Sequence, residues 1–142
     1  MRAFGSSLNY THRPRIYANE HRLDSLVEAV VGAAYEVANT LGCGFLEKVY
    51  ERALLRELAL RGLAVQPHAA FPVAYKGQPI GDCFADLLVD GRLIVEVKCV
   101  DRFSNEHLAQ CINYLKASGL RIALLVNFQH PKVEWRRIVY GS

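Results

Sequence analysis

The spacing of the apolar residues changes near residue 62, and this change limits the possible folds more than any other feature of the sequence. Before it, apolar side chains recur every three or four positions, which is the repeat of an amphipathic helix. After it, short apolar runs alternate with Gly, Pro and Asp, a pattern typical of strands and turns. The sequence therefore predicts a helical first part followed by a β-sheet.

Helical spacing covers three segments, residues 24–40, 46–61 and 105–118. Strand-like runs cover six segments, residues 63–68, 71–75, 82–89, 92–100, 120–128 and 133–140. The run at 120–128 is almost wholly apolar, which indicates a strand covered on both faces. This order of elements predicts an α/β (α+β) fold, a mixed β-sheet flanked by helices.

Length and composition suit one compact domain. The 142 residues are 51% hydrophobic, which is enough to build a core and excludes wholesale disorder. The formal net charge of +3 lies entirely in residues 1–22, so we expect a basic leader there and a single domain at 23–142. Such a leader is a weak indication of a phosphate-rich partner, and a solvated tail explains it equally well.

Neither the apolar runs nor the cysteines indicate a membrane or secreted protein. No apolar run is long enough to cross a membrane, and the first residues lack the apolar core of a signal peptide. The cysteines show neither CxxC pairs nor zinc-finger spacing; they are Cys43, Cys83, Cys99 and Cys111. We expect reduced thiols and a cytoplasmic protein without a membrane partner.

Charged side chains interrupt two neighbouring apolar strands. Glu96 and Lys98 are two positions apart, so they share one face of their strand. Asp86 lies on the preceding strand, and the Asp90-Gly91 pair between the two strands is a hairpin signal. Considered alone, Glu96 and Lys98 are better explained as a surface ion pair on the solvated face of an edge strand.

The register of this hairpin decides whether Asp86 and Glu96 meet. A two-residue turn at Asp90-Gly91 pairs Asp86 with Val95 and leaves Glu96 on the opposite face. A three-residue connection at 89–91, with its glycine left-handed in a bulge, puts both carboxylates on one face. A catalytic role for the pair therefore requires an odd connection or a bulge.

Two converging carboxylates need a compensating charge. At about 5 Å and an effective dielectric constant of about 20, their repulsion is about 3 kcal/mol. A shared proton, the ammonium of Lys98 or a divalent cation could offset it. An all-oxygen site suits Mg²⁺ or Mn²⁺ better than zinc.

Two helices carry further polar side chains that could join a site. Glu47 begins the second helix on the same stripe as Tyr50, and it is either a site residue or a common helix-start glutamate. His107, Gln110 and Tyr114 form a polar stripe on the third helix. Hydrogen bonding at the helix–sheet boundary also explains this stripe, and a lone histidine is more often structural than catalytic.

The order and spacing of the acidic and polar motifs resemble those of the PD-(D/E)XK nuclease superfamily. The motifs are Asp86, the run Glu96-Val97-Lys98 and Gln110-x-x-x-Tyr114. The run at 44–50, Gly-Phe-Leu-Glu-Lys-Val-Tyr, is similar to the signature of the GxxExxY family, a small bacterial branch of that superfamily. The similarity extends over nearly everything after the leader, although Ala85 stands where the superfamily motif has proline. It implies a restriction-endonuclease-like fold.

The resemblance also implies a function and roles for individual residues. It implies a metal-dependent nuclease that hydrolyses nucleic acid, DNA more than RNA, with Mg²⁺ or Mn²⁺ as cofactor. The implied metal ligands are Asp86, Glu96, Glu47 and the carbonyl of Val97. Lys98 would orient or activate the attacking water, and Gln110 and Tyr114 would position the scissile phosphate.

Two other functions remain open at this point. The chain could retain the nuclease fold yet only bind nucleic acid or a protein partner, or it could be an assembly protein whose acids form a structural ion-pair network. The small, neutral body offers little surface for gripping a duplex. We therefore also expect a homodimer.

Overall fold

The structure is a computed structural model that describes residues 12–141, with side chains described from Arg22 onward. Its three helices are α1 (His12–Leu41), α2 (Glu47–Leu60) and α3 (Asn105–Ser118). Its five strands are β1 (Val65–Tyr75), β2 (Gln78–Val89), β3 (Leu93–Lys98), β4 (Ile122–Asn127) and β5 (Glu134–Val139).

The strands form one sheet in the order β1-β2-β3-β4-β5. The central pair, β3 and β4, is parallel, and all other neighbours are antiparallel. A crossover through α3 joins the two parallel strands, as parallel pairing requires. The mixed sheet with flanking helices confirms the predicted fold class.

Apolar layers cover both faces of the sheet. On one face α1 and α2 pack against the strands, with Tyr50 and Leu54 fully buried. On the other face α3 contributes Cys111 and Leu115. β3 and β4 lie in the centre and are buried along nearly their whole length, as the apolar run at 120–128 predicted.

Helix α1 begins earlier than predicted. It starts at His12 rather than near residue 24, and Pro14 falls in its first turn, where proline is tolerated. Apolar spacing marks only the part of a helix that packs on a core, so it did not indicate the additional turns. Residues 12–22 of the expected leader therefore belong to α1, residues 1–11 lie outside the described residues, and the domain boundary near 22 stays a prediction.

The two strands predicted at 63–68 and 71–75 are one strand, β1. Proline cannot donate to a β-ladder, so Pro67 and Pro72 suggested breaks, but β1 is an edge strand and such strands tolerate proline. The pairing of β1 with β2 has two local irregularities, one of which is a shift of register between Val73 and Ala74. His68 has a φ of +51° and is skipped in the pairing of β1 with β2.

No helix in the described part of the chain is both long and apolar enough to cross a membrane.

Candidate active site

The hairpin between β2 and β3 has the register that brings the two carboxylates together. Val89 pairs with Leu93, so three residues, 90–92, connect the strands. Asp90 and Gly91 both have positive φ values, 52° and 65°, and the Arg92 N–H donates to the Val89 carbonyl at 3.0 Å. The connection is odd, as a catalytic role required, but it lies one residue later than the 89–91 connection considered from the sequence.

Asp86 and Glu96 consequently face each other, and each carboxylate accepts a hydrogen bond from a backbone N–H of the other strand. The N–H of Asp86 donates to Glu96 Oε1 at 2.7 Å, and the N–H of Val97 donates to Asp86 Oδ2 at 2.8 Å. The regular β2–β3 pairing ends one residue earlier, at Leu87 and Val95. The two acidic side chains therefore replace the ladder hydrogen bonds where the strands separate, and each keeps one carboxylate oxygen free of these contacts.

Lys98 joins the same cluster, on the same face of β3 as Glu96. Its ammonium lies 3.8 Å from Glu96 Oε2 and donates to Gln110 Oε1 at 3.0 Å. Gln110 thus holds the lysine from α3. The structure brings together Asp86, Glu96, Lys98 and Gln110 in the arrangement that the sequence suggested.

Burial makes this cluster electrostatically costly. Glu96 is 2% exposed, and its burial together with the neighbouring Asp86 charge raises its pKa to about 8. Burial, and next the Glu51 and Glu47 charges, raise the pKa of Asp86 to about 6, although the hydrogen bond from Val97 opposes the shift. Glu96 therefore retains its proton near neutral pH, and Asp86 retains its proton only in mildly acidic solution, unless a positive charge enters the cluster.

Tyr114 lies on the α3 side of the pocket. Burial, followed by the charges of Glu96 and Asp86, raises the pKa of the Tyr114 hydroxyl, so it remains a proton donor. The same causes, burial first, raise the pKa of Cys111 to about 12, which keeps that thiol protonated and unreactive.

His107 has a structural role. The imidazole Nδ1 of His107 accepts from the backbone N–H of Ser104 at 3.0 Å. The backbone N–H of His107 donates to the Ser104 hydroxyl at 3.3 Å. This reciprocal pair is the capping box at the start of α3. The structural alternative considered for His107 explains its contacts.

The acidic residues of α2 occupy two different environments. Glu47 is exposed, and its Oε1 accepts from the N–H of Cys99, just beyond β3, at 3.2 Å. Glu51, one turn later, is 6% exposed. The Lys48 ammonium binds Oε1 of Glu51 at 2.9 Å, whereas Oε2 of Glu51 is buried and lacks a hydrogen-bond partner.

Sequence reasoning missed Glu51. Its charge raises the pKa of both Asp86 and Glu96, after burial in each case, so it lies within electrostatic reach of the pair. The signal was available, because Glu51 stands four residues after Glu47 and three before the buried Leu54, which places it on the inward side of α2.

The chemistry of the donor set fits a small, hard divalent cation. Asp86 and Glu96 each offer a carboxylate oxygen, and the Val97 carbonyl points to the same side as its N–H, which is bonded to Asp86. The partnerless Oε2 of Glu51 adds a buried acceptor that a metal-bound water would satisfy. Between residues 22 and 141, no group of three His, Cys, Asp or Glu side chains has the geometry of a metal-ligand cluster.

Comparison with known proteins identifies the family. A family model described as the PD-(D/E)XK nuclease superfamily matches residues 24–138. Because the match covers most of the sequence, the chain belongs to the PD-(D/E)XK nuclease superfamily, whose members generally use divalent metals and act on nucleic acid. A comparison with curated proteins gives no significant match.

One solved structure shares the fold at low sequence identity. The crystal structure of SSO0001 has a TM-score of 0.55 and 14% identity, covering 67% of this chain. The match covers 50% of SSO0001, so the chain spans about half the length of that protein. An alkaline exonuclease from Laribacter hongkongensis has a TM-score of 0.46 and 14% identity, covering 76% of each chain.

Proposed function

We propose that this chain is a metal-dependent nuclease of the GxxExxY type that hydrolyses phosphodiester bonds, with DNA as the expected substrate and Mg²⁺ or Mn²⁺ as the cofactor. The observation that carries this proposal is the convergence of Asp86, Glu96 and Lys98 at the point where β2 and β3 separate. A structural ion-pair network would be neutral and fully bonded. This cluster instead has a carboxylate excess, raised acid pKa values and a buried oxygen without a partner.

The side chains have distinct roles in the proposed reaction. Asp86, Glu96 and the Val97 carbonyl hold the cation, and the nearby carboxylate of Glu51 or Glu47 accepts hydrogen bonds from its waters. When bound, the divalent cation lowers the pKa of water and neutralises charge on the phosphate. The backbone N–H groups that bind Asp86 and Glu96 fix the orientation of both carboxylates before any ligand enters.

Lys98 supplies a fixed positive charge beside the reacting phosphate. The neutral amide of Gln110 and the carboxylate of Glu96 hold its ammonium in place, and these two contacts do not cancel its positive charge completely. A fixed cation of this kind stabilises negative charge that develops on phosphoryl oxygens, and it orients the attacking water. Tyr114, which remains protonated, supplies a hydroxyl donor from α3, the helix that also carries Gln110.

The test is a cleavage assay with single- and double-stranded DNA and RNA, in Mg²⁺, Mn²⁺ or EDTA. We expect cleavage that requires the metal and that is lost in Lys98→Ala and in Asp86→Asn. Lys116→Ala is the matched control, because it removes the same charge from the last turn of α3 and should keep activity. Metal-independent cleavage, or full activity in Lys98→Ala, would contradict the proposal.

The same experiment addresses the alternative of a binding module. Retained binding of nucleic acid without cleavage in any metal would support that alternative. The predicted homodimer is tested separately by gel filtration with light scattering, where a monomer at micromolar concentration would refute it.

A further inference from the structure

A basic and aromatic groove lies along the β5 edge of the sheet. The segment between β3 and α3 faces the beginning of β5 across a cavity of about 520 Å³. This β5 groove is lined by Arg102, Phe103, Val133, Glu134, Trp135 and Arg136. None of these residues belongs to the site described above, so the groove needs a separate explanation.

The groove presents positive charge that the fold does not neutralise. Arg102 and Arg136 are exposed, and neither forms an ion pair within the described residues. The guanidinium of Arg136 lies 6.0 Å from the centre of the Phe103 ring. Glu134, the acidic residue of this lining, accepts from Asn127 Nδ2 at 3.0 Å and forms no ion pair with either arginine in the described part of the chain. The lining therefore has a net positive charge, with two guanidinium groups available to an anionic partner.

The register places this charge close to the catalytic cluster. Glu96 pairs with Leu125, and Leu125 pairs with Arg136, so the three residues lie in one row across β3, β4 and β5. Paired residues point to the same face, and two strand spacings amount to about 10 Å. Arg136 thus lies on the same face of the sheet as Glu96 and Lys98, within a few nucleotides of a phosphate held there.

The two walls of the groove are fixed relative to each other. Asn127, at the end of β4, is fully buried and binds both the N–H and the carbonyl of Val100, at 3.0 and 2.8 Å. The same amide donates to Glu134 on β5. The segment that carries Arg102 is therefore tied to the strand that carries Arg136, and the groove is preformed.

We propose that the β5 groove binds a single-stranded part of a nucleic-acid substrate next to the scissile phosphate. The inference rests on the proposed nuclease function for its location, but it concerns binding alone. Guanidinium groups recognise phosphate, and an aromatic ring with an arginine beside it offers a stacking surface for an unpaired base. A paired base inside a duplex cannot reach such a surface, which is why the groove favours a single strand.

The test measures binding of fluorescently labelled oligo-dT and of a blunt duplex of equal length to the full chain in EDTA, where cleavage is blocked. Arg136→Ala should weaken oligo-dT binding about tenfold, and should lower the slope of log affinity against log salt by about 0.7, the loss of one phosphate contact. Arg136→Lys should restore the salt slope. Arg137→Ala is the matched control, since Arg137 is the next residue on the opposite face of β5 and pairs with Asp24 at 2.8 Å.

A second variant tests the stacking surface. Phe103→Leu keeps the apolar contact with the core but removes the ring, and it should weaken oligo-dT binding about fivefold or more while leaving duplex binding unchanged. Equal effects of Arg136→Ala and Arg137→Ala, or equal losses for single strand and duplex, would overturn the assignment.

The outcome is separable from that of the proposed function. If Lys98-dependent cleavage is observed but Arg136→Ala binds oligo-dT normally, the groove assignment fails and the nuclease stands. If no substrate is cleaved but binding depends on Arg136 and Phe103 as described, the groove stands and the nuclease proposal fails.

Discussion

Two buried polar clusters lie side by side at the ends of the central strands, and they are balanced in different ways. Asn127 on β4 is fully buried, and its amide makes four hydrogen bonds, to the Val100 N–H and carbonyl, to Glu134 and to the Gln129 N–H. Glu96 on β3 is buried beside a second carboxylate, with Glu51 nearby and one oxygen of Glu51 unbonded. The buried Asn127 amide is uncharged and has all four of its hydrogen bonds, whereas the buried carboxylates of the second cluster are crowded and incompletely bonded.

This difference separates a structural cluster from a functional one. A buried polar group with all its hydrogen bonds stabilises a unique arrangement, whereas crowded buried charges lower stability unless something compensates them. Proteins tolerate such a cost where the missing charge is supplied by a ligand. The Asn127 cluster should therefore control the free energy of unfolding, and the Glu96 cluster should control activity and cation binding.

The largest expected effect is that of Glu96→Gln on cleavage. Removal of one carboxylate should slow cleavage in Mg²⁺ at least 100-fold, because the cation loses a ligand and Lys98 loses its neighbour. The same change should leave the free energy of unfolding in EDTA unchanged or raise it, because it removes a buried repulsion.

Cleavage assays and urea unfolding of the same preparations check this pair of effects. Glu57→Gln is the control, since it removes a carboxylate from α2 that only pairs with Arg61 at 2.9 Å. Activity of Glu96→Gln within tenfold of the unmodified chain would show that the two clusters do not differ as described.

Asn127→Ala should have the reverse profile. It leaves the Val100 N–H and carbonyl without partners in a buried position, so it should lower the free energy of unfolding by about 2–3 kcal/mol. Urea unfolding measures this change, with the exposed Asn113→Ala on α3 as control. A loss below about 1 kcal/mol would indicate that water replaces the amide and that the cluster is less important than its geometry suggests.

Two of the three glutamates of α2, Glu47 and Glu51, give a finer test of the incomplete cluster. Glu51→Gln should weaken Mn²⁺ binding about tenfold, which is the usual effect of losing an outer-sphere hydrogen-bond partner. Glu47→Gln should weaken it less than about threefold, because that exposed carboxylate already binds the Cys99 N–H. Isothermal titration with Mn²⁺ distinguishes them, and a larger effect of Glu47→Gln would reverse the assignment.

The sequence was sufficient for the parts of this comparison that depend on periodicity. Alternation placed Glu96 and Lys98 on one face, and helical spacing placed Gln110 on a polar stripe of the third helix, although it did not predict the 3.0 Å contact of Gln110 with Lys98. The register was predictable only as a choice between two connections, because a one-residue offset in the turn reverses every side chain. The structure has a three-residue connection, at 90–92 rather than 89–91, and this odd length puts both carboxylates on one face.

Other features depend on tertiary context that sequence patterns do not contain. The continuity of β1 through Pro67 depends on its position at the sheet edge, which becomes known only when the strand order is known. Helical spacing puts Glu51 on the inward side of α2, but its near-complete burial depends on how α2 packs against β3. Asn127 gave no signal, because its four partners come from four separate backbone and side-chain groups.

The last expected effect is the pH dependence of stability in the metal-free chain. Glu96 has a pKa of about 8 in the fold against an ordinary value of 4.5, so between these pH values the folded chain holds a proton that the unfolded chain has lost. Its contribution to stability is complete below pH 4.5 and is lost as the pH rises toward 8. The free energy of unfolding should thus fall as the pH rises, by at most about 1.4 kcal/mol per pH unit for one proton.

Glu96→Gln should flatten this slope, and Asn127→Ala should keep it, because the amide does not titrate. Urea unfolding in EDTA at pH 5, 6, 7 and 8 measures both slopes. An equal slope in Glu96→Gln and in the unmodified chain would show that Glu96 is not the group whose titration makes stability depend on pH.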